Sequence, residues 1–94
     1  MNIKGELIGE YKRHEKDATY LYRLIKLTDP PLSSFVISLY SVRIEMKMKD
    51  KLTFYQSGGL LVCERKAERL LQFLADNLIT PTNLPFIIED LFDF

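Results

Sequence analysis

The sequence predicts an α+β protein: a roughly four-stranded antiparallel meander followed by one long and one short C-terminal helix packed on one face. Apolar and polar residues alternate in the first half of the chain, which is the period of a strand. After Ser-Gly-Gly at residues 57–59, apolar residues recur every three or four positions, which is the period of a helix. The 94 residues suffice for one domain and not for two. We therefore expect one domain over residues 1–94, with the meander in 1–56 and the helical part in 62–92.

The first two strands are predicted over residues 3–12 and 19–27, which are rich in branched and aromatic residues. Glycines at positions 5 and 9 interrupt the first strand, and glycine within a strand often marks a bulge. The charged residues 13–17 between the strands predict a solvent-facing hairpin loop. Pro30 and Pro31 end the second strand because proline lacks the N–H group that a strand ladder needs.

The third strand is predicted over residues 35–49 and the fourth over residues 52–55, with a tight turn at 49–51 between them. The second half of the third strand alternates strictly, with Val42, Ile44, Met46 and Met48 on one side and Arg43, Glu45, Lys47 and Lys49 on the other. Such alternation is typical of a strand with one buried and one wet face.

The long helix is predicted from about Val62 to Leu78, ending with the help of Asn77. Its apolar stripe consists of Cys63, Ala67, Leu70, Leu71, Leu74 and Leu78. The short helix is predicted from Thr82 as N-cap to about Phe92. It should bury Leu84, Ile87 and Leu91.

Composition excludes several classes of function. The 13 basic residues balance the 13 acidic ones, so no global field draws the chain to nucleic acid or to an anionic membrane. No apolar stretch approaches the ~20 residues of a membrane span, and no leader is recognisable at the start. The single cysteine cannot form an internal disulfide, and a cytoplasmic location is therefore expected.

The residues that could carry chemistry are isolated in the sequence. His14, in the charged loop, has no second histidine or cysteine near it to complete a metal site. Cys63 falls on the apolar stripe, so we expect a buried, unreactive thiol. The Ser57-Gly58-Gly59 turn lacks the rest of a phosphate-binding loop, and Glu89 and Asp90 suit the wet face of a helix. We predict no catalytic residue, no metal and no cofactor.

One face of the predicted sheet is left without a cover. The second strand and the start of the third carry apolar side chains on both faces, but two helices can cover only one face. Large uncovered apolar patches are rare on monomers. We therefore predict a protein interface, most simply with a second copy, although the chain's own first strand or Pro-Pro loop could also cover this face. The candidate interface residues are Leu21, Ile25, Phe35, Ile37 and Leu39.

An alternative function uses the tyrosines of the sheet. Aromatic side chains beside arginines can stack the bases of single-stranded nucleic acid or hold a small ligand. The residues concerned are Tyr20, Tyr22, Tyr40 and Tyr55 with Arg23 and Arg43. The zero net charge weighs against nucleic acid.

The C-terminal third carries a recognisable pattern: Leu-Ala-x-Asn at residues 74–77, Thr-Pro at 80–81, Asn-Leu at 83–84 and Ile-Glu-Asp at 88–90. This pattern resembles the end of a family of short uncharacterised proteins from Firmicutes, chiefly clostridia and bacilli. The resemblance implies a bacterial cytoplasmic protein. It implies no activity, substrate or cofactor. The leading expectation is thus a non-enzymatic interaction or regulatory module.

Overall fold

The computed structural model describes residues 4–28, 38–59, 61 and 63–91. It confirms the α+β class: a four-stranded antiparallel sheet in the order β1-β2-β3-β4 is followed by two helices. The elements are β1 Lys4–Glu15, β2 Ala18–Thr28, β3 Ser38–Met48, β4 Lys51–Gln56, α1 Glu64–Asp76 and α2 Leu84–Leu91. The predicted strand starts at Ile3 and Phe35 lie outside the described residues. No helix among the described residues is long and apolar enough to cross a membrane.

The first hairpin is tighter than predicted. Pairing continues through Arg13, His14 and Glu15, and only Lys16 and Asp17 form the turn. The expectation of a five-residue loop was therefore wrong. Charged residues fit in β1 because it is an edge strand, whose side chains reach solvent easily.

Strand β1 contains the bulge that its glycines predicted. The register with β2 shifts between Leu7 and Gly9, which places one extra residue, Ile8, in β1. A Cβ atom at Gly9 would lie 3.5 Å from both Leu24 Cβ and Leu71 Cδ2. The bulge thus lies where Leu71 of α1 packs on the sheet.

The core lies between the helices and one face of the sheet. Alternate residues of β2 and β3 point into it, as their period of two requires. The buried side chains are Tyr22, Leu24, Tyr40, Val42 and Ile44 from the sheet and Ala67, Leu70, Leu71, Leu74, Ala75 and Leu84 from the helices.

Helix α1 is shorter than the predicted residues 62–78. Asn77 is the C-cap residue, in agreement with the prediction that it ends the helix. Leu78 adopts φ 49°, and the N–H groups of Leu78 and Ile79 donate to the carbonyl oxygens of Ala75 and Leu74 at 3.3 and 3.0 Å. This pair of bonds closes the helix as a Schellman motif, with leucine at the left-handed position that glycine usually occupies.

Helix α2 begins two residues after the predicted N-cap Thr82. The turn before it is held by Thr80, whose hydroxyl accepts the N–H of Asn83 at 3.2 Å. Leu84 is fully buried and Ile87 half-buried, but Leu91 is exposed, so its predicted burial was wrong. The eight-residue helix packs against the core through Leu84, Ile87 and Ile88, and its end at Leu91 extends beyond the core.

Tyr22 joins the two layers of the core through its hydroxyl group. The hydroxyl donates to the carbonyl oxygen of Ile79 at 2.9 Å, and the ring stacks on Tyr20 with a centroid separation of 6.3 Å. Burial, and then the neighbouring Tyr20, raise the pKa of Tyr22 to about 12 from an ordinary 10.0.

This raised pKa predicts a loss of stability at alkaline pH. Between pH 10 and about 12 the unfolded chain loses the Tyr22 proton while the folded protein keeps it. The free energy of unfolding should therefore be unaffected by Tyr22 below pH 10 and fall as the pH rises toward 12. Urea denaturation across this range should show a smaller decline for Tyr22→Phe. Equal declines in the two proteins would contradict the raised pKa.

Candidate functional site

The face of the sheet opposite the helices is the candidate site, and we call it the open face. The strand registers place on it Leu7, Glu10 and Lys12 of β1, Leu21, Arg23, Ile25 and Leu27 of β2, Leu39, Arg43, Glu45 and Lys47 of β3, and Leu52, Phe54 and Gln56 of β4. Leu7, Leu52 and Phe54 are 53%, 57% and 55% exposed. Large apolar side chains therefore remain in water on this face.

A band of polar contacts crosses the middle of the open face. Arg23 donates to Glu10 at 3.0 Å and to Glu45 at 2.9 Å. Arg43 lies 3.4 Å from the same Glu45 carboxylate and donates to Gln56 at 3.1 Å. These contacts connect all four strands.

The Arg43 guanidinium also lies over the Phe54 ring, 4.2 Å from its centroid. A cation in this position is attracted by the negative face of the ring. The Phe54 side chain therefore has a partner on one side of its ring, although it is more than half exposed.

Apolar side chains lie on both sides of this band. On one side, Leu7, Ile25 and Leu27 line a shallow depression of about 360 Å³. On the other side, a depression of about 320 Å³ is lined by Leu21 and Leu52 together with Lys12 and Lys47. The open face thus presents two shallow apolar areas separated by paired charges.

The predicted interface residues are only partly described. Leu21, Ile25 and Leu39 lie on the open face and are half-buried, while Phe35 and Ile37 lie outside the described residues. Whether these side chains form an interface stays a prediction.

The chain itself covers part of Leu39. The backbone at Gly59 approaches so closely that a Cβ there would lie 2.7 Å from Leu39 Cβ. Ser57 holds this turn in place, because its hydroxyl accepts the N–H of Val42 at 3.0 Å and its carbonyl oxygen accepts the Ser41 hydroxyl at 2.8 Å. Part of the Leu39 side chain is therefore covered by the chain's own backbone.

Sequence reasoning missed Leu7, Leu52, Phe54 and the polar band. The alternation of Arg43 and Glu45 with apolar residues in β3 did predict that these two side chains lie on a face exposed to solvent. Their partners Glu10 and Arg23 could be identified only once the register of β1 on β2 and of β2 on β3 was known.

The tyrosines do not form an open stacking platform. Tyr22 and Tyr40 are buried under the helices, and Tyr20 packs beside them. Tyr55 pairs with Ile44 and therefore shares the helix-covered face. The four rings lie on the opposite side of the sheet from Arg23 and Arg43.

Cys63 is exposed, so the expectation of a buried thiol was wrong. Helix α1 begins one residue later, and Cys63 is its N-cap, outside the apolar stripe. The backbone N–H groups of Lys66 and then Arg65 lower the pKa of the thiol below its ordinary value.

His14 lies on the exposed edge strand, with its Nδ1 atom 3.4 Å from the Thr19 hydroxyl, and not in a turn as expected. Within the described part of the chain, no three His, Cys, Asp or Glu side chains lie close enough together to hold a metal ion.

Comparison with known proteins gives one match. A family model described as a family of unknown function, DUF6514, matches residues 6–93. No curated protein and no solved structure matches the chain. The match spans the sheet and both helices, and it agrees with the resemblance of the C-terminal third to uncharacterised proteins. The chain therefore belongs to the DUF6514 family of unknown function.

Proposed function

We propose that this protein is a non-enzymatic interaction module that pairs with a second copy of itself through the open face. The observation that carries the proposal is the exposure of Leu7, Leu52 and Phe54 beside the half-buried Leu21 and Ile25 on one sheet face. Exposing such a surface to water is unfavourable in free energy, and burying it against a partner stabilises the assembly.

The size of the open face suits this role. Four strands of 12, 11, 11 and 6 residues, spaced about 4.8 Å apart and rising about 3.4 Å per residue, span roughly 650 Å². A stable interface buries about 800 Å² on each partner. Two such sheets can pack face to face at about 10 Å separation, as in a β-sandwich.

The edges of the sheet are less suited to binding than its face. The outer edge belongs to β1, whose ladder is broken by the bulge at Leu7 and Gly9 and whose side chains are largely charged. These features are typical of an edge that resists pairing with another strand. The other edge, β4, has only six residues.

The charges of the polar band balance one another, and the remaining charges described on the open face are Lys12 and Lys47 at the depression beside Leu21 and Leu52. Glu10 and Glu45 pair with Arg23 and Arg43 within the chain, so the band presents neither an acidic nor a basic surface. A symmetric pair of identical chains is the commonest assembly of soluble proteins. A bacterial cytoplasmic setting, which the C-terminal resemblance implies, is part of this proposal.

The alternative of a small ligand or single-stranded nucleic acid on the tyrosines has less support. Its stacking rings lie on the helix-covered face, and two of them are buried in the core.

A matched pair of substitutions tests the self-association. Phe54→Glu places a charge on the open face, whereas Phe86→Glu places one on α2, and the two phenylalanines are similarly exposed at 55% and 62%. The parent protein and Phe86→Glu should sediment as dimers at micromolar concentration. Phe54→Glu should sediment as a folded monomer, because the interface would lose the apolar ring and would have to desolvate an added carboxylate.

Circular dichroism should show the same secondary structure in all three proteins, since both substituted side chains are largely in water. A parent protein that remains monomeric at every concentration tested would overturn the proposal. Dissociation by both substitutions would also overturn it.

A further inference from the structure

A groove on the helical side of the molecule has no role in the proposed self-association. It has a volume of about 350 Å³ and is lined by Leu61, Lys66, Arg69, Leu70, Phe73 and Leu91. Phe73 and Leu91 are 46% and 55% exposed. None of these residues belongs to the open face. The groove thus combines an apolar floor with two cations at its rim.

The cations of α1 are placed in a way that does not favour the helix itself. Arg65 and Arg69 are four residues apart and Lys66 and Arg69 three residues apart, so like charges face each other on the helix surface. Arg65 has Glu68 three residues away, but neither Lys66 nor Arg69 has an acidic residue three or four positions away along the sequence. Lys66 also lies in the first turn, where the helix dipole disfavours positive charge. Interactions within the helix therefore do not account for Lys66 and Arg69.

These cations also differ from the arginines of the open face. The ion pairs that the structure shows between described residues all belong to the polar band of Arg23 and Arg43. Arg65, Lys66 and Arg69 take part in none of them.

We propose that this groove binds an acidic peptide segment that carries a bulky apolar side chain. The apolar side chain enters between Phe73 and Leu91, and carboxylates on either side of it pair with Lys66 and Arg69. The two cations favour a peptide with acidic residues on either side of its apolar side chain. The apolar residues of the groove favour the apolar side chain itself. A nucleic acid fits less well, because four of the six lining residues are apolar.

A labelled peptide tests this proposal. Fluorescein-labelled Glu-Glu-Leu-Phe-Glu-Glu is titrated with the full chain at low salt and its fluorescence polarisation is recorded. Two matched peptides replace either every Glu by Gln or the Leu-Phe pair by Ala-Ala. Both should bind at least about tenfold more weakly than the acidic peptide, and binding of the acidic peptide should weaken as salt is added.

Variants of the protein locate the site. Phe73→Ala and Arg69→Glu should each weaken binding about tenfold or more, whereas Phe86→Ala, an exposed phenylalanine outside the groove, should bind as the parent does. Phe54→Glu should also bind normally, so failure of the groove and failure of self-association are separate results.

No binding of the acidic peptide, or equal binding of the three peptides, would overturn the proposal. Equal effects of Phe73→Ala and Phe86→Ala would do the same, because the peptide would then bind somewhere other than the groove.

Discussion

Replacing Leu74 by alanine is expected to lower the free energy of unfolding by about 2–5 kcal/mol. Leu74 is fully buried in the core between α1 and the sheet. Its removal costs the transfer free energy of the lost methyl groups and leaves a cavity that packed neighbours fill only in part. Since a domain of this size is stable by about 5–15 kcal/mol, this one change should remove a large share of the total.

Urea denaturation followed by circular dichroism measures this effect, with Gln72→Ala as the control. Gln72 lies on the exposed side of the same helix, so its replacement should change stability by no more than about 0.5 kcal/mol. Similar small changes in both variants would mean that α1 does not pack on the sheet by the Leu74 side.

Gly59→Ala is expected to destabilise the protein by about 1–3 kcal/mol. The new Cβ would lie 2.7 Å from Leu39 Cβ and 2.8 Å from Leu39 Cδ1, well inside van der Waals contact. Leu39 cannot move away easily because β3 pairs there with Leu27 of β2. The turn after β4 would have to shift, which would strain the hydrogen bonds of Ser57 with Ser41 and Val42.

The adjacent glycine supplies the control for this prediction. A Cβ at Gly58 meets no atom within 4 Å, so Gly58→Ala should be neutral or slightly stabilising through the lower entropy of its unfolded chain. Thermal unfolding of both variants beside the parent separates the two cases. If Gly59→Ala melts at the parental temperature, the close approach of this turn to Leu39 is wrong.

The elements with a clear period could be predicted from the sequence. The alternation around Val42 and Ile44 predicted β3, and the three- and four-residue steps through Leu70, Leu71 and Leu74 predicted α1. The predictions that were wrong for the helices concern single residues near helix ends. Cys63 fits the apolar period, but the period cannot show that the helix begins one residue after it. Leu91 fits the period of α2, but that helix packs against the core only as far as Ile88 among its described residues.

The candidate site was harder to predict than the fold. That Leu21 and Ile25 lie on the face opposite the helices followed from the period of two in β2. Predicting the polar band would have required knowing that Glu10, Arg23 and Glu45 pair, and these residues come from three different strands. The groove near Phe73 depends on how α1 and α2 pack together, and no pattern within one segment determines that.

The order of the strands has a consequence for folding kinetics. Each strand pairs only with its neighbours in sequence, and the first and last hairpins close through turns of two residues, Lys16-Asp17 and Lys49-Asp50. Short loops lose little entropy on closure, so these hairpins can form early. The contact of α1 with β1 is of another kind, because it joins residues far apart in the sequence, such as Arg13 and Ala75, which are 62 residues apart. We therefore expect docking of α1 over the bulge at Gly9 to be the slow step of folding.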